Sequence, residues 1–163
     1  MSENQKDPVK GCLVIDRSGI ILVLYELYSG ALKSYLGVDL LEMSALIRGF
    51  DIFSQDLDEE LEDVRFRDKI IYFIRIPPYF LTVIGDKTPL SEEIYQKIRS
   101  HFEKLIDANR LILEYVSQNG DVYLLRSLDE EGQQWLRNLN KFYHLRKKLR
   151  DIIDNIDKLF DEF

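Results

Sequence analysis

Two dense apolar runs on either side of a Pro-Pro pair constrain the fold of this chain more than any other feature. The runs 69–76 and 79–86 are rich in β-branched and aromatic residues, which favour strands. Because proline cannot donate to a strand ladder, Pro77-Pro78 marks a turn or a strand end between them. Residues 64–67 alternate apolar and basic side chains just before these runs. The middle of the chain therefore predicts three consecutive short strands.

The first third of the chain predicts a strand pair followed by a helix. Residues 9–16 and 20–28 are apolar runs around a short break that ends in Gly19, and glycine supplies the positive φ that a bulged hairpin turn needs. The segment 29–38 shows no clean period and is predicted to be a loop. Apolar residues at helical spacing then predict an amphipathic helix over 39–57.

The segment 91–118 is predicted to be one helix, although a second interpretation stays open. Its apolar residues recur at helical steps, and Asn119-Gly120 is a typical helix stop. The alternative is a break at Ala108-Asn109 and a hairpin that turns at Asn119-Gly120. The helix is favoured because residues 111–116 lack the alternation of a half-buried strand.

A long C-terminal amphipathic helix is predicted from a capping box at Ser127 and Glu130 to near Phe163. From Phe142 onward, its apolar residues recur in steps of three and four, which is the a/d pattern of a heptad repeat. These residues form the candidate interaction surface: Phe142, Leu145, Leu149, Ile152, Ile156 and Leu159.

Two interpretations of this stripe are open at the level of sequence. The stripe packs on the protein's own sheet or on the helix 91–118, or it forms a seam for a second copy or another protein. Further apolar residues widen it, and a wide stripe favours globular packing over a narrow two-stranded seam. The widening residues are Leu139, Tyr143, Ile153 and Phe160. The basic cluster at 141–150 precedes several acids and predicts a solvated face of mixed charge; the alternative is a contact with an acidic partner, anionic lipid or nucleic acid.

The order of these elements predicts an α+β fold: a five-stranded antiparallel sheet in the order 2-1-5-4-3, flanked by helices and followed by the long C-terminal helix. Three stretches, 11–27, 39–57 and 69–105, make the chain resemble the longin fold of the longin/roadblock/profilin-like group, and archaeal longin-like proteins in particular. The chain begins with a strand rather than a helix, which resembles the longin order more than the roadblock order. On this resemblance, residues 9–107 form a longin-like domain, 1–8 a mobile tail and 108–163 a helical extension.

The resemblance implies binding rather than catalysis. Longin and roadblock domains act as interaction platforms that bind small GTPases, take part in trafficking complexes and often dimerise. The family carries no fixed active-site residues, so the resemblance assigns none to this chain.

Composition excludes several other classes of protein. The 163 residues include 45% apolar residues, which excludes global disorder, and the formal net charge of −7 argues against binding to a phosphate backbone. No apolar run approaches the ~20 residues of a membrane span. Cys12 is the single cysteine, which excludes an internal disulfide, and the polar N-terminus does not resemble a secretory signal. A cytoplasmic location is expected.

Candidate chemical groups do not assemble into a catalytic pattern in the sequence. His101 and His144 lie far apart and lack metal-ligand spacing. The acids in 56–63 lack the glycine of a calcium loop, and 16–19 lacks the glycines of a phosphate loop. No enzyme activity and no cofactor are therefore expected.

The sequence thus predicts a non-enzymatic protein-interaction module that scaffolds or regulates a small GTPase or a trafficking-like complex. We also expect a homodimer through the C-terminal helix. We expect neither binding to nucleic acid nor a transmembrane segment. The alternative function is a small-molecule sensor of PAS/GAF/profilin-like topology, although the almost purely apolar strands count against it.

Overall fold

A computed structural model describes residues 7–162 of the chain. The elements are β1 (Val9–Ile15), β2 (Ile21–Glu26), α1 (Ala31–Leu36), α2 (Leu40–Asp56), β3 (Asp63–Arg65), β4 (Lys69–Ile76), β5 (Tyr79–Asp86), α3 (Glu92–Ala108), α4 (Arg110–Asn119) and α5 (Arg126–Asp161), with a 3₁₀ turn at Val122–Leu125 before α5. The strands form one antiparallel sheet in the order β2-β1-β5-β4-β3. The predicted fold class and strand order are confirmed.

Helices cover both faces of this sheet, which explains why its central strands are continuous apolar runs. On β1, Cys12 and Val14 point toward one apolar cluster, whereas Leu13 and Ile15 point toward another. The first cluster is closed by α3, α4 and the first half of α5, and the second is closed by α1 and α2. Burial raises the pKa of the Cys12 thiol, so this side chain is a core residue.

The turn between β1 and β2 is held by Asp16. One carboxylate oxygen accepts hydrogen bonds from the backbone N–H groups of Ser18 and Ile20 (both 2.9 Å), and the other accepts one from the Ser117 hydroxyl (2.6 Å). Burial alone would raise the pKa of Asp16, but these hydrogen bonds outweigh burial and lower the pKa. Gly19 has φ 91° in this turn, as predicted. Asp16 therefore acts structurally and joins the hairpin to α4.

The predicted loop at 29–38 is wrong, because it contains α1. Gly30 and Gly37 bound this helix, each in the left-handed region. The Glu26 carboxylate accepts hydrogen bonds from the backbone N–H groups of Gly30 (3.1 Å) and Leu32 (3.0 Å) and so fixes the start of the helix. A helix of six residues is too short to show a hydrophobic period.

Residues 91–118 are helical, as favoured, but they form two helices. Asn109 separates α3 from α4 with φ −115° and ψ 20°. Its side-chain amide donates to the Leu105 carbonyl (2.8 Å) and satisfies a group at the end of α3. Asn119-Gly120 ends α4, so the alternative hairpin is excluded, whereas the break that accompanied it is present.

The predicted capping box at Ser127 and Glu130 does not form. Helix α5 begins at Arg126, directly after the 3₁₀ turn, and no side-chain cap is present. The Asp129 carboxylate instead accepts a hydrogen bond from the backbone N–H of Leu24 (2.8 Å) in the edge strand β2. The first turn of α5 thus protects a sheet edge, and burial raises the pKa of Asp129 to about 6.

Asp129→Asn should increase stability at neutral pH. Because the pKa of about 6 in the fold exceeds the ~3.9 of an unfolded chain, stability falls as the pH rises from about 4 to 6. Asparagine keeps the oxygen acceptor for Leu24 and removes the charge, so the free energy of unfolding should rise by about 1 kcal/mol near pH 7. Urea denaturation at about pH 4 and near pH 7 measures the change. Equal stability of parent and variant at neutral pH would contradict the prediction.

Helix α5 lies so close to β2 that Gly132 contacts the Tyr25 ring, and a Cβ at this position would overlap that ring. Tyr25 packs with Phe102 and Trp135, and its hydroxyl is hydrogen-bonded to His101 (2.8 Å). His101 stacks on Trp135, and burial lowers its pKa. These contacts fix the direction in which α5 continues beyond the sheet.

Candidate interaction surface on the C-terminal helix

Helix α5 has 36 residues and is therefore roughly 54 Å long, but only its first part packs on the sheet. The last anchored turn is held by Asn140, which is 2% exposed. Its amide accepts a hydrogen bond from the Val9 N–H (3.1 Å) and donates to the Val9 carbonyl (3.0 Å). Buried hydrogen bonds of this kind fix the position of the helix against β1.

His144 marks the end of the anchored part. Its Nε2 lies 2.8 Å from the carboxylate of Asp7. Asp7 and Pro8 are buried, whereas residues 1–6 of the predicted mobile tail lie outside the described part of the chain. Two residues further, Arg146 forms an exposed ion pair with Glu93 at the start of α3 (3.3 Å). The two histidines of the chain, His101 and His144, both lie on helices and contact side chains of neighbouring segments.

Phe142 lies on α5 close to the end of the anchored part, and it is only partly exposed. Its ring packs against the main apolar cluster, and the Lys97 ammonium lies 4.5 Å from the ring centroid. Phe142 therefore joins the predicted stripe to the core of the protein.

Every residue from Leu145 to Asp161 is exposed. We call this segment, residues 145–161, the arm. Five of the six residues of the predicted surface lie on it, and all five are about half exposed: Leu145, Leu149, Ile152, Ile156 and Leu159. Ile153 (56% exposed) and Phe160 (72% exposed) extend the same apolar surface. The arm therefore carries a continuous apolar stripe that the described part of the chain does not cover.

Charge divides this part of α5 into two halves. Residues 141–150 contain five lysines and arginines and no acid, whereas residues 151–162 contain five acids and one lysine. The change of sign falls between Arg150 and Asp151. The apolar stripe thus runs through a basic half and then an acidic half.

Exposed apolar side chains also occur outside α5, among them Leu41 and Phe53 on α2 and Leu111 on α4. Within residues 7–162, no three His, Cys, Asp or Glu side chains form a group that could hold a metal ion. A cleft of about 370 Å³ at the β3–β4 edge is lined by side chains of both charges, among them Glu60, Glu62, Arg75 and Arg99. None of the helices in the described range is both long and apolar enough to cross a membrane.

The structure separates the sequence-predicted stripe into one anchored and five exposed residues. The Gly132–Tyr25 contact and the Asn140 anchor, which set where the arm begins, were missed in the sequence. A glycine and an asparagine inside an amphipathic helix are weak signals, and only their partners on β1 and β2 give them meaning. No protein-family model matches this chain, and a comparison with curated proteins gives no match either.

Proposed function

We propose that this protein is a non-enzymatic interaction module. The sheet and the helices packed on it form a longin-like body, which carries the arm as a docking surface for another polypeptide. The observation that carries this proposal is the exposed stripe on the arm. Its seven aliphatic and aromatic side chains present on the order of 700 Å² of apolar surface, close to the ~800 Å² per partner of a standard interface. Monomeric proteins expose contiguous apolar patches of this size only rarely.

The isolated arm has little reason to be a helix on its own. Most helical stability in proteins comes from burying one apolar face, and the arm buries none of its side chains in the single chain. The stripe has the spacing that such burial requires. A partner that covers the stripe would therefore stabilise the arm and remove the exposed apolar surface together.

In this proposal, the module as a whole scaffolds or regulates a small GTPase or a trafficking-like complex. Its support is the resemblance of residues 11–27, 39–57 and 69–105 to longin domains. A small-molecule sensor is the less favoured function. A ligand between sheet and helices would have to displace fully buried side chains such as Ile98 and Phe102.

Affinity capture with the tagged full chain tests this proposal. Three baits are compared, each with GDP and with a non-hydrolysable GTP analogue: the parent, Ile152→Lys/Ile156→Lys on the stripe, and Asp154→Asn/Asp161→Asn on the opposite face of the helix. Both double variants change the net charge by the same amount and sign. We expect a polypeptide that parent and control retain and the stripe variant loses.

The two parts of the proposal fail separately in this experiment. An identical set of retained polypeptides for all three baits would show that the arm is not a docking surface. Enrichment of a small GTPase in one nucleotide state would support the partner class, and its absence in both states would contradict it.

A further inference from the structure

We propose that the polypeptide that covers the arm is a second copy of this chain, and that the two arms pair antiparallel as a two-helix coiled coil. This inference rests on the proposed function, because it names the occupant of the same surface. It is carried by the heptad register of the stripe and by the charges on either side of its midpoint.

The heptad register gives one antiparallel alignment that uses all six residues of the stripe. Positions a are Phe142, Leu149 and Ile156, and positions d are Leu145, Ile152 and Leu159. In an antiparallel pair, each a residue faces a d residue of the second copy. The facing pairs are then Phe142 with Leu159, Leu145 with Ile156, and Leu149 with Ile152, each occurring twice by symmetry.

The symmetry axis of this alignment crosses α5 between Arg150 and Asp151. The charge of the helix changes sign at the same point. An antiparallel pair therefore places the basic half 141–150 of each copy beside the acidic half 151–162 of the other. Complementary charge of this kind favours association and fixes orientation.

A parallel pair would bring like charges together. Basic halves would lie side by side, and Lys141 at position g would face Arg146 at position e of the second copy. In the antiparallel pair, Lys141 instead faces Glu162 at position g of the second copy. Both residues are exposed and free to adopt this geometry. The charges therefore select the antiparallel orientation.

The alignment also gives a place to Phe160, one of the exposed apolar residues that widen the stripe. Ile153 and Phe160 occupy e positions, on the flank next to a. In the antiparallel pair, e residues of the two copies share one flank, so Phe160 of the second copy lies beside residues 139–141. Phe142 and the core are next to this place. The ring of Phe160 would thus pack beside the start of the arm of the first copy.

The area is sufficient for a stable dimer. Two stripes together offer roughly 1,400 Å², within the ~1,200–2,000 Å² that specific interfaces bury. A pairing of two equal surfaces about an axis is also the commonest form of protein oligomer.

Disulfide trapping with the full chain tests the orientation. Leu145→Cys and Ile156→Cys are prepared as single variants, and the native Cys12 is fully buried and not available for crosslinking. After oxidation, we expect an equimolar mixture of the two variants to form a crosslinked dimer, because positions 145 and 156 face each other. Each variant alone should remain uncrosslinked, because its two cysteines are eleven residues apart along the paired helices.

Crosslinking of each variant alone would show a parallel pair and overturn the inference. Salt provides an independent test on the parent chain. Screening should weaken the antiparallel dimer, so we expect a several-fold rise in its dissociation constant between low and high salt. A dimer that tightens with salt would contradict the charge argument.

The experiments distinguish the second copy as occupant from the arm as a docking surface. A chain that stays monomeric and uncrosslinked, but retains another polypeptide through the stripe in the capture experiment, would overturn the second copy and leave the docking surface intact. A monomeric chain that retains nothing through the stripe would overturn both.

Discussion

Gly132→Ala is expected to lower the free energy of unfolding by about 3 kcal/mol, at the upper end of the range for overpacked cores. Gly132 is buried where α5 crosses β2, and a Cβ there would overlap the Tyr25 ring. Tyr25 cannot give way easily, because Phe102 and Trp135 pack around it. The helix would have to move away from the sheet edge, although alanine favours helix over glycine.

Gly49→Ala is the matched control for this effect. Gly49 also lies inside a helix, α2, but it is exposed, and a Cβ there would have no neighbour within 4 Å. Alanine should therefore raise the free energy of unfolding by about 0.5–1 kcal/mol through helix propensity alone. Urea denaturation of both variants at one protein concentration measures the two changes. Equal effects of the two substitutions would contradict the packing of α5 on Tyr25.

Ile152→Lys/Ile156→Lys is expected to convert the dimer into a monomer. In the antiparallel alignment, Ile152 faces Leu149 and Ile156 faces Leu145 of the second copy. The double variant would therefore place four ammonium groups in the centre of one interface. Since even one unpaired buried charge costs several kcal/mol, the dissociation constant should rise at least roughly a thousandfold.

The body should remain folded in this variant, because the substituted residues are exposed in the single chain. Asp154→Asn/Asp161→Asn makes the same change in net charge away from the stripe. Because it removes only part of the complementary charge, it should raise the dissociation constant at most several-fold and leave the chain dimeric. Sedimentation equilibrium gives the mass of the variant in solution. Thermal melting followed by far-UV circular dichroism shows whether the body remains folded. If the stripe variant kept the mass of the parent, the stripe would not be the interface.

The sequence predicts the sheet well because its signals are local. Gly19, Pro77-Pro78 and the β-branched runs around them define the strands, and short connections between antiparallel strands leave few alternatives for their order. The signal fails where an element is held by distant partners. Helix α1 depends on the Glu26 carboxylate, and the start of α5 depends on Leu24 rather than on its own capping residues.

The stripe on α5 is visible in the sequence, but its exposure is not. Periodicity shows that one face of a helix is apolar, and it does not show what covers that face. The width added by Ile153 and Phe160 favours globular packing, yet both residues are exposed. The exposure of the stripe depends on the point at which α5 leaves the sheet. That point is set by the contacts of Asn140 with Val9 and of Gly132 with Tyr25.

The most direct test of the second copy as occupant of the arm is the mass of the unmodified chain, measured by sedimentation equilibrium over a wide range of protein concentration. For a dimer through the arm, we expect a mass of twice 19.3 kDa at high concentration, which falls toward 19.3 kDa on dilution. A mass of 19.3 kDa at every concentration would contradict it.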